Sequence, residues 1–244
     1  MLLEKMLQSQ GFGSRKNCQQ LIKQGAIQVA GQIITDLKYK LTLNNLEFQV
    51  YGETYQYREK IYIALNKPAD YECSHQATHH FSVFDLFDDV LMNRGLQCVG
   101  RLDQDTTGLL LLTDDGQFLQ ALTHPKKHVP KVYVIHTADP LNQEQLSQLE
   151  NGVELRNEKG TFAATGVEQI ASNEMTMAIH QGVYHQVKRM LAAVGNKVEK
   201  LHRQQIGKLK LQDLAEGEWI YLTEEQILAT KQQNDDQLLE MTII

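Results

Sequence analysis

The first third of the chain changes from helical to strand periodicity within a short distance. Apolar residues at helical spacing predict a first helix near residues 2–10. Ser14 is a favourable N-cap for a second helix, which extends to Gln24. Ile27 and Val29 then alternate with polar residues, and the turn at 30–31 predicts a β-hairpin. Two short helices and a hairpin therefore form a unit of about 45 residues.

Beyond residue 58 the pattern becomes a series of short strands with a few helices between them. Strands are predicted near 62–65, 109–113, 131–137 and 175–180, and helices near 116–123, 141–150 and 185–194. Thr223 and Gln226 form a capping box that begins a last helix. This irregular order predicts an α+β fold with a mainly antiparallel sheet. We expect two domains, residues 1–58 with a connector and residues 59–244.

Composition places the chain among globular proteins that need neither metals nor disulfides to build a core. It has 244 residues, of which 42% are hydrophobic and 22% charged. Its three cysteines, Cys18, Cys73 and Cys98, lie far apart and form no C-x-x-C pair, which favours a reducing compartment. The N-terminus lacks a secretory signal, and no apolar run is long enough to span a membrane. We therefore predict a cytoplasmic protein with no membrane partner.

The net charge of −6 argues against a nucleic-acid partner until its distribution is considered. Residues 1–58 carry seven Lys/Arg and four Asp/Glu, and residues 182–210 carry seven Lys/Arg and one acid. Residues 211–244 hold eight acids and one lysine. Arg15 and Lys16 also open the second helix, where cations oppose the macrodipole and are better explained by phosphate contact. Two basic segments are thus candidates for phosphate binding, or else ordinary solvated faces.

The most informative string is 99–108, which holds Asp103 between Arg101 and a Thr-Thr-Gly turn. The apolar strand that follows would brace this loop. A carboxylate fixed on a braced loop is a candidate nucleophile or base. The alternative is a surface ion pair between Arg101 and Asp103.

Two further strings carry residues suited to a flipped base and to an ionised carboxylate. Lys131 and Tyr133 alternate along one strand and face the same way, and an aromatic ring can stack on an extruded base. For Tyr133 the alternative is a core position. Segment 182–191 opens a helix with Lys188 and Arg189, which could otherwise form a basic amphipathic face. His124 and His128 are four residues apart, but no third ligand is placed, so we predict no metal site.

Together these strings resemble the motifs of RNA pseudouridine synthases, and residues 1–45 resemble the S4 RNA-binding domain. The resemblance implies that Asp103 is catalytic, that Tyr133 stacks on the uracil and that Lys188 pairs with Asp103. Lys67, which precedes Pro68 as in the family's Lys-Pro-x-Gly motif, would brace the Asp103 loop, with Arg101 and Arg189 in support. The family pattern has x-Gly where this chain has Ala69-Asp70, and Arg where it has Val183. The implied RNA contacts are Arg15, Lys16, Lys23, Lys131, His185, Gln186 and Arg203.

The implied reaction is an isomerisation of uridine, so no cofactor is expected. Segments 152–159 and 184–190 are most similar to enzymes that modify one uridine of 16S rRNA, of the uridine-516 type. The expected partner is therefore 16S rRNA or the assembling small subunit, bound by a monomer. Three alternatives stay open: a 23S rRNA target, an inactive ribosome-associated RNA-binding protein, and a glycosidase that uses Asp103 with Asp105.

Overall fold

The computed structural model describes residues 1–124, 128–211, 213–232 and 242–243, which form two compact units. The first unit comprises Met1–Ile61 and Phe84–Gln97, and the second comprises Tyr62–Val83 and Cys98–Ile244. The predicted domain limits after residue 58 stay a prediction. The predicted limits place residues 84–97 in the second domain, but these residues lie in the first unit. Within the described ranges, no helix is both long and apolar enough to cross a membrane.

The first unit packs two helices on a four-stranded antiparallel sheet. Ser14 caps the second helix by accepting a hydrogen bond from the Asn17 backbone N–H. The apolar faces of both helices are buried against Phe48 and its neighbours in the sheet. In chain order the elements are α1 (Leu3–Ser9), α2 (Arg15–Lys23), β1 (Ile27–Val29), β2 (Gln32–Ile33), β3 (Glu47–Val50) and β4 (Glu53–Gln56), with strand order β2-β1-β3-β4.

Residues 84–97 join the first unit through specific polar contacts with its N-terminal helical region. They contain a short helix, α3 (Asp89–Met92). The Asn93 side chain donates to the carbonyl of Gly11 at 3.1 Å, and Arg94 Nη1 donates to Gln10 Oε1 at 3.0 Å. Sequence periodicity could not indicate these contacts, because they join residues that are more than 80 positions apart.

The second unit is built on one large mixed sheet. Its main strands lie in the order β13-β14-β10-β15-β9-β5-β17, and every neighbouring pair is antiparallel except β9 and β15. The bounds are β5 (Tyr62–Lys67), β6 (Tyr71–Glu72), β7 (Phe81–Ser82), β8 (Gln97–Cys98), β9 (Thr107–Thr113), β10 (Lys131–Thr137), β11 (Val153–Glu154), β12 (Thr161–Phe162), β13 (Thr165–Ala171), β14 (Glu174–Ile179), β15 (Val198–Ile206), β16 (Leu209–Lys210), β17 (Trp219–Tyr221) and β18 (Thr242–Ile243).

In the described part of the second unit, four helices complete this architecture: α4 (Gly116–Thr123), α5 (Gln143–Asn151), α6 (Gln186–Ala193) and α7 (Glu224–Ala229). The predicted capping box is present, with Thr223 and Gln226 bonded reciprocally at the start of α7. The predicted α+β class with a mainly antiparallel sheet is confirmed. Strand β15 is not predicted from the sequence, because its exposed charged residues and the buried Arg203 interrupt the alternation of apolar and polar positions.

Strands β9 and β15 approach so closely that one position admits only glycine. Gly108 has φ +102°, and a Cβ atom there would lie 2.3 Å from the carbonyl oxygen of Arg203. Gly108 also pairs with Lys67 in β5. This close approach fixes the start of β9, where the loop that carries Asp103 ends.

A comparable close approach in the first unit gives a test of its composition. Gly11 has φ +92°, and an added Cβ would lie 1.9 Å from the carbonyl oxygen of Val90. We expect Gly11→Ala to destabilise the first unit by about 2–5 kcal/mol, from left-handed strain and steric overlap together. Hydrogen exchange of first-unit peptides measures this loss.

Gly52→Ala is the matched control, because Gly52 has φ +87° but nothing lies within 4 Å of its added Cβ. That variant should show only the backbone strain of about 1–2 kcal/mol. Equal losses of stability in Gly11→Ala and Gly52→Ala would contradict the packing of Val90 against Gly11.

Candidate active site

The loop that carries Asp103 is shaped by a buried lysine. Lys67 is completely buried, and its ammonium donates to the carbonyls of Pro68 at 2.8 Å, Gln104 at 3.2 Å and Thr106 at 2.9 Å. Burial lowers the pKa of Lys67, while the sulfur of Cys73 and nearby carboxylates oppose that shift. Three carbonyl acceptors replace the water that the ammonium loses on burial. The lysine thereby ties the part of the loop that follows Asp103 to the end of β5.

Two additional backbone contacts fix the loop on either side of Asp103. Asp70 adopts a left-handed φ of +64°, and its N–H donates to the Gln104 carbonyl at 2.9 Å. Aspartate thus takes the conformation for which the family motif uses glycine. The Leu102 N–H points at Cys73 Sγ, 3.5 Å away. A hydrogen bond from Cys98, which lies beside it, lowers the pKa of Cys73.

Asp103 meets two basic side chains from the start of α6. Lys188 Nζ lies 3.3 Å from Asp103 Oδ2, and His185 Nε2 lies 3.2 Å from Asp103 Oδ1. Each carboxylate oxygen therefore has its own basic neighbour. Lys188 also donates to both oxygens of Asp105, at 2.6 and 2.8 Å. The cluster contains two carboxylates, one ammonium and one imidazole, and all four groups are partly exposed.

Mutual attraction keeps Lys188 and Asp105 charged. Burial acts to raise the pKa of Asp105, but the hydrogen bond and charge of Lys188 outweigh it and lower that pKa. Burial likewise acts to lower the pKa of Lys188, but the bond to Asp105 and both carboxylate charges raise it. Lys188 is therefore a permanent cation that holds Asp103 in place near neutral pH.

The start of α6 is held by its own side chains. His185 has a left-handed φ of +51° at the N-cap. Arg189 forms an ion pair with Glu158 at 3.0 Å, donates to the Tyr184 carbonyl at 3.1 Å and donates to the Arg156 carbonyl. Arg189, predicted as a supporting residue, thus supports the segment that presents His185 and Lys188. It does not touch Asp103 in the contacts among described residues.

Tyr133 lies in the sheet, opposite Arg203 of β15 and Met177 of β14. Only 7% of its surface is exposed, so it can offer a base only a small part of its ring in this structure. Two strand positions earlier, Lys131 donates to the Val129 carbonyl at 2.9 Å. Burial, together with the charge of Arg203, lowers the pKa of Lys131 to about 8.

Two predicted RNA contacts face the protein interior. Arg203 is only 2% exposed, and its Nε donates to the Leu109 carbonyl at 2.7 Å. Gln186 is buried, and its amide bonds within the 181–186 segment. Direct RNA contact by either side chain does not fit this structure, because both are packed inside it. Arg101 is exposed, and the ion pairs found among the described residues do not include one between Arg101 and Asp103.

The three basic residues predicted in the first unit differ in their surroundings. Lys16 and Lys23 are exposed on α2. Arg15 is also exposed, but it forms an ion pair with the buried Glu4 at 3.0 Å. Glu4 accepts a hydrogen bond from Gln19 as well. Arg15 is therefore partly engaged in holding α1 to α2.

Two features of the cluster around Asp103 are not predicted from the sequence. Asp105 was considered only for a glycosidase, whereas the structure makes it the nearest partner of Lys188. His185 was predicted to bind RNA, but in the structure its imidazole contacts the Asp103 carboxylate. The spacing of Asp103 and Asp105 on an extended loop could have indicated a shared cation. The left-handed turn that aims His185 has no signal in the sequence.

Two family models match this chain. The family model described as RNA pseudouridylate synthase matches residues 61–193, and the S4 domain model matches residues 1–46. The chain belongs to the RNA pseudouridylate synthase family. As a member of that family, it is an isomerase that acts on RNA.

Relatives of this family member match it over nearly its whole length. Ribosomal small subunit pseudouridine synthase A of Vibrio vulnificus is 40% identical over 231 residues, which cover 93% of this chain and 98% of that one. An uncharacterized RNA pseudouridine synthase of Bacillus subtilis is 39% identical, covering 93% and 97%. A crystal structure of a pseudouridylate synthase superposes with a TM-score of 0.66 at 35% identity, covering 94% and 99%.

The buried Lys131 gives a prediction about stability and pH. Its folded-state pKa of about 8 lies below the value of about 10.4 for a free lysine. Between these values the unfolded chain binds more protons, so stability rises as pH increases from about 8 to 10. Below pH 8 the folded protein bears the full cost of the buried charge. We expect Lys131→Met to raise the free energy of unfolding at pH 7 by no more than about 3 kcal/mol.

The gain from Lys131→Met should shrink toward zero near pH 10. Urea unfolding of the variant and the wild type at several pH values measures this difference. Lys200→Met is the control, since Lys200 is an exposed lysine of neighbouring β15. A gain that does not depend on pH would contradict the assignment to the buried charge.

Proposed function

We propose that this protein isomerises one uridine of 16S small-subunit rRNA to pseudouridine, at a site of the uridine-516 type. The observation that carries the chemistry is the Asp103 carboxylate, with Lys188 on one oxygen and His185 on the other. The choice of 16S rRNA rests on the similarity to small-subunit enzymes over 93% of the chain. The reaction takes place in the cytoplasm on 16S rRNA or on the assembling small subunit, and the enzyme acts as a monomer.

In this proposal the N1–C1′ bond of the uridine breaks, the uracil turns, and a C5–C1′ bond forms. The proton on C5 is lost and N1 gains one, so the product is an isomer of the substrate. Asp103 faces the nucleoside as an ionised carboxylate, which suits attack on the sugar, attack on the base or removal of a sugar proton. No group is transferred to a second molecule, and no net oxidation occurs.

The other residues act by positioning. Lys188 holds Asp103 ionised and oriented, and Asp105 holds Lys188. Lys67 fixes the loop backbone, and Arg189 fixes the segment from which His185 and Lys188 project. Tyr133 contacts the extruded uracil with the exposed part of its ring. Lys16 and Lys23, with Arg15, contact RNA phosphates, so binding weakens as salt rises. Arg101 supports the Asp103 loop.

The decisive experiment is pseudouridine mapping of 16S and 23S rRNA from cells that lack the protein. We expect one 16S site to disappear and to return when the wild-type protein is supplied. Asp103→Asn should fail to restore it, because the amide cannot act as an anionic nucleophile or base. Asp139→Asn is the matched control, since Asp139 is an exposed aspartate in the loop after β10, and it should restore the site.

Each other result of the mapping has a distinct meaning. Loss of a 23S site would keep the chemistry and overturn the 16S target. No loss at any site, with full rescue of growth by Asp103→Asn, would favour an RNA-binding protein without activity. Release of free uracil from RNA would instead support a glycosidase that uses Asp103 and Asp105.

A kinetic comparison tests how Lys188 is shared between the two aspartates. Lys188→Met should lower kcat about 100-fold, because Asp103 loses its cation and its orientation. Lys188→Arg should recover part of that loss. Asp105→Asn should lower kcat less than about tenfold, since Lys188 then keeps Asp103 as its carboxylate partner. Equal losses in Lys188→Met and Asp105→Asn would contradict this division of roles.

A further inference from the structure

We propose that the exposed ring of Tyr184 is a stacking platform for a nucleobase adjacent to the target uridine. His185 joins this platform to Asp103. The inference rests on the proposed function, since it takes the ligand to be a nucleotide of the same RNA. It adds a binding surface to the catalytic cluster and assigns that surface a chemical class of ligand.

The geometry places the platform next to the reacting nucleoside. The Tyr184 and His185 rings stack with centroids 3.7 Å apart and planes inclined by 19°. The Nε2 atom of the imidazole lies 3.2 Å from Oδ1 of Asp103. Tyr184 itself is 69% exposed, so the ring face that His185 does not cover is open to solvent. A base on that face would extend a continuous stack that begins beside Asp103.

Exposed aromatic rings usually have free side-chain motion, but the backbone that carries Tyr184 is held. Arg189, itself paired with Glu158, donates to the Tyr184 carbonyl at 3.1 Å. The buried Gln186 accepts from the Val183 N–H and donates to the Gln181 side chain, each at 3.4 Å. Stacking on His185 restricts the ring as well, so less ordering entropy is lost when a base binds.

The chemistry of the surface favours a nucleobase over an apolar protein side chain. Flat aromatic rings bind unstacked bases face to face, and Tyr184 offers one flat, solvated face. A base next to the target is covalently tied to it, so it arrives at Tyr184 when the uridine reaches Asp103. Stacking of this kind tolerates any base, so it strengthens binding without selecting sequence.

The test measures release of the C5 proton from tritiated 16S rRNA transcripts by purified full-length variants. Tyr184→Leu removes the ring and should raise KM about 5- to 150-fold, with kcat within about twofold of wild type. Tyr184→Phe keeps the ring and should retain the wild-type KM. Phe81→Leu is the control, because Phe81 is 65% exposed in the same unit but lies outside the cluster.

A second readout reports stacking directly. 2-Aminopurine replaces each nucleotide that flanks the mapped uridine, and the RNA is bound to Asp103→Asn protein, which does not turn over. We expect fluorescence quenching at one flanking position, and we expect the additional change Tyr184→Leu to abolish it.

The outcomes separate this inference from the proposed function. If wild-type protein forms no pseudouridine in either rRNA, the proposed function fails and the inference fails with it. If the wild type is active but Tyr184→Leu keeps its KM and the quenching, only the platform is overturned. A lower kcat at unchanged KM would also overturn it, because Tyr184 would then serve only to hold His185.

Discussion

One buried ammonium group determines the shape of the catalytic loop. Lys67 lies at the end of β5 with no exposed surface, and it donates to the carbonyl of the next residue, Pro68, and to those of Gln104 and Thr106, which follow Asp103 in the loop. An apolar side chain there would remove these hydrogen bonds, and each buried carbonyl left without a donor costs about 1–3 kcal/mol. The cation also lies among the negative charges of Asp70, Asp103 and Asp105, which offset part of its desolvation. Stability and chemistry thus depend on the same contact.

The acidic chain builds its site from a few well-placed cations. Of the basic residues in segment 182–210, Lys188 faces the carboxylates, Arg189 supports the helix start, and Arg203 lies inside the sheet. Charge counted along the sequence overstates the number of side chains free to meet phosphate. The largely buried Lys131 shows the cost, since burial and the nearby charge of Arg203 both lower its pKa. Local placement, more than net charge, therefore describes how this chain meets RNA.

Much of the architecture could be predicted because local signals agree with it. The N-cap at Ser14 and the capping box at Thr223 are local devices, and the structure contains both. The partners of Lys188 and the burial of Arg203 could not be predicted, since they depend on strands and helices distant in sequence. Strand β15 shows the limit most clearly: its position between β9 and β10 makes it central, yet its charged residues at 199–200 resemble a solvent-facing segment. Motif order singled out the candidate catalytic string at 99–108, while its neighbours depend on tertiary contacts.

The discontinuous first unit has a consequence for synthesis on the ribosome. Helices α1 and α2 and the small sheet are complete by residue 61, but the Asn93 and Arg94 contacts to residues 10 and 11 require residues 62–94 to emerge as well. In the interval the nascent chain carries β5 without its partner β9 in the large sheet, because residues 107–113 are still to be made. The N-terminal region thus exists for a time as an unfinished module. A fragment cut at the end of the S4 match would remain in that unfinished state permanently.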